Sequence, residues 1–164
     1  MNAFQQDIFP RDKQERLLEL LGQEYKLFIR IRELTEAQTE LLAADDLEGF
    51  NKSLDSRQEV IDEINGLHQE SDILMQSYMS FSNTVSDGTN PAGGEKTGLI
   101  DSAVRRLEDA IIKCVELNDK NTGAAKNKTE EYIRQIGELS LKRKSIGKYA
   151  LNVPNNPEHF DKMS

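Results

Sequence analysis

The stretch from Leu99 to Lys148 holds no proline, and its apolar residues fall at helical spacing. Ile100, Val104, Leu107, Ile111 and Cys114 are followed by Tyr132, Ile136, Leu139 and Ile146. Steps of three and four residues place them on one face of a helix. A continuous helix of that length would run about 75 Å at about 1.5 Å per residue. Such a helix cannot bury its own stripe, so it requires partners alongside. In the middle the stripe turns polar, through Leu117-Asn118-Asp119-Lys120-Asn121 and then Thr122-Gly123-Ala124-Ala125.

Two earlier segments supply those partners. From Arg11 the same period runs through Leu17, Leu18, Leu21, Tyr25, Phe28, Ile31, Leu34, Leu41 and Leu42, with Pro10 suited to a first helical turn. Thr35 and Gln38 stand where the stripe should continue, so the seam is partly polar. Ala43-Ala44-Asp45-Asp46 then breaks the pattern, as a kink in one helix or a tight turn, and a break that short suits the turn between antiparallel helices. An Asp there can cap the next helix, and Asp45 with Glu48 resembles a capping box. A second stripe follows through Leu47, Phe50, Leu54, Ile61, Ile64, Leu67, Leu74, Met75, Tyr78 and Phe81. The expectation is a single all-α domain over 1–164. It is an antiparallel three-helix coiled-coil bundle with helices over about 10–43, 46–82 and 98–146. Residues 83–97 read as a linker rich in Gly, Asn, Ser and Thr. Residues 147–164 read as an irregular tail, with Gly147 ending the third helix and Met1–Phe9 as a frayed lead-in.

Composition narrows the function classes. The chain has 164 residues and a net charge of −8, which disfavours a general nucleic-acid role because phosphate binding needs a basic face. Acidic excess sits in the first two helices: 19 acidic against 9 basic residues through Thr97, then 10 against 12. That imbalance favours association of the third helix with the first two. No apolar run approaches the roughly 18 residues of a membrane span, and no signal peptide is visible. One cysteine, Cys114, fits a reducing cytoplasm and reads as a small buried hydrophobe.

No arrangement of residues points to catalysis, a metal or a cofactor. The Gly93-Gly94 pair follows no strand and leads to no Gly-Lys-Ser/Thr. Glu-x-x-His, the di-iron pattern of bundles, is absent, since Asn65 precedes His68 and Asn156 precedes His159 at that spacing. Arg57 reads as a long side chain covering apolar surface. The chemistry that remains is packing. Tyr132, Ile136, Leu139 and Ile146 lie on the part of the third helix that outlasts its partners, and an amphipathic helix from another protein could cover them. Ala125 and its small neighbours would allow a close approach. Asn118 and Asn121 carry two readings: buried amides that set the bundle's register, or amides that bond a visiting helix.

The Leu117-Asn118-Asp119-Lys120-Asn121 stretch resembles the Leu-Asn-x-x-Asn signature of the FlgN family of flagellar export chaperones. Leu17-Leu18, Glu24-Tyr25, the Ala44-Asp45-Asp46 break, Arg57 and Ile61 are similar to the family's first half. Gly147-Lys148-Tyr149 and Phe160-Asp161-Lys162 resemble its end. The resemblance implies a cytoplasmic type III secretion chaperone, active as a monomer or weak homodimer. It would bind the C-terminal helices of hook-associated, hook–filament junction proteins, prevent their early assembly and pass them to the membrane export gate. Carried onto this chain, the client site comprises Asn118, Asn121, Ala125, Tyr132, Ile136, Leu139 and Ile146. Tyr149 matches a tail tyrosine implicated in docking to the export gate. Leu151, Val153 and Phe160 are expected to fold back on the third helix. Two alternatives stand beside this: a FliT-like chaperone of the filament-cap protein, and a structural coiled coil that uses its stripe to self-associate.

Overall fold

A computed structural model of the chain describes residues 9–85 and 94–151, with side chains over 9–83 and 98–147. These residues form three helices: α1 (Arg11–Ala43), α2 (Leu47–Val85) and α3 (Gly94–Leu151). The chain divides into two compact units, Met1–Thr122 and Gly123–Ser164. The division falls within the polar interruption of the third stripe, between Thr122 and Gly123. Residues of α3 through Thr122 belong to the first unit and those from Gly123 to the second.

The first unit is a three-helix bundle. One apolar cluster joins Phe9, Leu17 and Leu21 to Tyr78 of α2 and to Ile100, Ala103 and Leu107 of α3. A second joins Ile31, Ile64 and Cys114. Contacts between α1 and α2 step from Phe9–Tyr78 through Glu24–Ser71 to Ile31–Ile64, so residue numbers fall along α2 as they rise along α1. Between α1 and α3 they rise together, from Phe28–Cys114 to Thr35–Asn121. The Arg16 guanidinium spans α1 and α2 as a fork on Glu70, with Nε–Oε1 and Nη2–Oε2 both 2.7 Å. Such bidentate pairing fixes geometry as well as charge.

The first turn carries three signatures of a sharp helix reversal. Asp45 has φ 56°, a left-handed conformation usually left to glycine. Asp46 N–H donates to Leu41 O at 3.0 Å and Asp45 N–H to Leu42 O at 3.3 Å, the paired bonds of a Schellman stop. Asp46 then caps α2 by accepting the Gly49 N–H at 2.9 Å. The cap is therefore Asp46 and not Asp45, because Asp45 is committed to ending α1. Gly49 sits in a tight space: a Cβ there would lie 2.5 Å from Asp46 Oδ2 and 2.8 Å from Leu41 Cδ2, so those side chains would have to shift.

Three boundaries differ from those the sequence suggests. Phe9 is 3% exposed and stacks edge-on to Tyr78, with its carbonyl accepting the Gln14 side chain at 2.6 Å. It plugs the end of the core because an aromatic placed just before Pro10 meets two aromatics of α2. The helices also invade both ends of the expected linker, α2 reaching Val85 and α3 starting at Gly94. Finally, α3 passes through Gly147 to Leu151. A glycine inside a helix costs about 1 kcal/mol but does not stop it unless the backbone turns left-handed, and Gly147 stays right-handed.

Candidate client-binding surface

The polar seam inside the first unit is spent on the bundle. Asn121 is 4% exposed, and its amide donates to the Thr35 carbonyl at 2.7 Å. Its oxygen accepts the Thr39 hydroxyl at 2.8 Å, and Thr35 Oγ1 itself donates to Ile31 O at 2.7 Å. Thr35 and Gln38 are fully buried, as their place in the stripe suggested. Further along α1, the buried Glu24 carboxylate accepts the Ser71 hydroxyl and lies 3.8 Å from His68 Nδ1. Cys114 is buried, its thiol directed at Phe28 O at 3.2 Å, and burial pushes its pKa up. Of the two asparagines, Asn121 therefore supplies the register bond, while Asn118 is half-buried on the same unit.

The second unit has the opposite character. Ala125 and Tyr132 are half-buried, but Ile136, Leu139 and Ile146 are 66%, 58% and 67% exposed. Ile133 and Leu141 are equally exposed, at 65% and 66%. Periodicity alone passes over these two. Ile133 is one residue past Tyr132, about 100° further round the helix, and Leu141 is still further from the stripe. The signal that finds them is composition: five Ile or Leu within fourteen residues of a helix that buries none of them. Each such side chain left in water forgoes about 2 kcal/mol of transfer free energy. The segment is held by its own local bonds, including Arg134 Nη1–Glu138 Oε1 at 2.8 Å and Gln135 Nε2–Glu131 Oε1 at 3.1 Å. Tyr149 lies within α3, its side chain outside the described set, and so does that of Leu151, the last residue of α3. Val153 and Phe160 lie outside the described residues.

Other surfaces offer less. A shallow groove in the first unit is lined by Arg32, Glu36, Lys113, Glu116, Leu117 and Lys120, with mixed charges that largely cancel. Among the described residues no group of His, Cys, Asp or Glu is placed to hold a metal ion. No described helix is long and apolar enough to cross a membrane.

The described part of the chain thus combines a buried polar bond at Asn121 with a helical segment whose Ile and Leu side chains are exposed. Comparison with known proteins supplies the family: a family model described as FlgN protein matches residues 13–135. The chain belongs to the FlgN family. FlgN proteins are flagellar export chaperones, and members of the family bind flagellar proteins. The FlgN match takes in most of the first unit and ends at Gln135, one residue before Ile136. No curated protein and no solved structure matches the chain.

Proposed function

We propose that this FlgN-family chaperone is a cytoplasmic, non-catalytic carrier of hook-associated proteins. It covers the C-terminal helices of the hook–filament junction proteins with the second unit and releases them to the type III export gate. The observation that carries this reading is the exposed set Ile133, Ile136, Leu139 and Ile146 on one helix of a family that binds flagellar proteins. A client helix laid on these residues removes apolar area from water on both partners, at about 25 cal/mol per Å². The first unit, in this reading an antiparallel up-down-up coiled coil, is the rigid base, and Asn121 belongs to it and not to the client site. Tyr149 keeps its assignment as the export-gate contact, because a phenol offers both apolar area and a hydroxyl.

Co-purification with each junction protein's C-terminal segment, followed by light scattering, tests this. A 1:1 complex with at least one of them is expected. Failure with both, in a chaperone that remains helical, refutes it.

A further inference from the structure

The partner-binding surface carries a charge pattern opposite to that of the rest of the chain. Residues through Thr122 hold 24 acidic and 13 basic side chains. Gly123–Lys148 holds three acidic and seven basic ones. Within it the charges separate. In the first half Arg134 is paired with Glu138 and Glu131 is engaged by Gln135. From Leu139 to Lys148 there are four cations, Lys142, Arg143, Lys144 and Lys148, and no carboxylate. Lys142, Arg143 and Lys144 form no ion pair among the described residues, and they are interleaved with the exposed Leu139, Leu141 and Ile146.

We infer that the occupant of this surface is an amphipathic helix with acidic residues flanking its apolar face, its carboxylates against Lys142–Lys144. The inference rests on the proposed function and adds the client's charge and the end at which that charge lies. Opposite charges beside a desolvated apolar contact fix register and partner choice. A second copy of this chain is the poorer occupant, because it brings the same cationic excess to the contact. An anionic bilayer also attracts basic amphipathic helices, and vesicles form a separate arm of the test.

The full-length chain, titrated with three labelled helical peptides of one apolar pattern, tests the inference. Their flanking positions carry Glu, Gln or Lys. The Glu peptide is expected to bind at least tenfold tighter than the Gln peptide, with a preference that shrinks as salt rises. Replacing Lys142, Arg143 and Lys144 by Gln should erase that preference and leave Gln-peptide binding intact. Equal binding of the Glu and Gln peptides overturns the charge assignment while sparing the apolar surface. Binding of none of the three overturns both. Binding only to phosphatidylglycerol-containing vesicles, or self-association that the Glu peptide cannot dissociate, also overturns it.

Discussion

Asn121 donates its amide N–H to the Thr35 carbonyl at 2.7 Å and accepts the Thr39 hydroxyl at 2.8 Å, binding α3 to two successive turns of α1. A one-turn slip of either helix would break both bonds. Buried amides of this kind specify alignment at some expense of stability.

Asn121→Ala is expected to lower unfolding free energy by about 1–2 kcal/mol, measured by urea denaturation. The loss stays at the lower end because the Thr39 hydroxyl can turn to Thr35 O, 3.2 Å away. Joint replacement, Asn121→Leu with Thr39→Val, should recover most of the stability, since no polar group is then stranded. Its cost should appear as heterogeneity in the amide spectrum where helix alignment is no longer unique.

The turn offers a test of coupling. Gly49→Ala gains about 1 kcal/mol of helix propensity but forces a Cβ against Asp46 and Leu41. The expected net effect is a destabilisation of about 1 kcal/mol. Asp46→Ala removes the cap, costing about 1 kcal/mol, and also removes two of the three close contacts at Gly49. Gly49→Ala should therefore become neutral or stabilising in the Asp46→Ala background. A double-mutant cycle measures this, and additive effects would contradict the packing described.

Tyr78 sets an alkaline limit. Burial, helped by the Asp101 carboxylate 3.2 Å from its hydroxyl, pushes its pKa up to about 12 from 10. The folded state holds the proton more tightly than the unfolded chain does. The resulting stability is fully present below pH 10 and is lost as pH rises toward 12. Tyr78→Phe should remove this part of the pH dependence, read by denaturation across that range alongside tyrosinate absorbance.

Ile136→Asp with Leu139→Asp separates a chaperone from a self-associating coiled coil. Both residues are exposed, so helicity and melting should be unchanged. The variant is expected to lose the client segment and to show the same molar mass as the parent chain. A fall in mass from dimer to monomer would favour the structural coiled coil instead.

The three helices and the buried placement of Thr35, Gln38 and Cys114 were legible because period 3.6 records which face is covered. Helix ends were less legible. Gly147 and the expected linker contain residues that permit a stop without enforcing one, and only backbone sign or a hydrogen bond distinguishes the two. Phe9 was invisible as core because its partners lie some seventy residues away on α2. Asn121 was readable as register or as ligand, and the sequence could not show that it is buried and bonded to Thr35 and Thr39. Ile133 and Leu141 escaped because a search for a stripe discards apolar residues off it, although residues off the stripe can also meet a partner.

The position of the lone thiol has a practical consequence. Cys114 Sγ is sealed between Ile31 and Ile64 and directed at a backbone carbonyl of α1. A modifying reagent can reach it only when that layer opens. Its rate of alkylation thus serves as a native clock for breathing of the bundle. If client capture at the second unit leaves that rate unchanged, the base holds still while the chaperone loads and unloads.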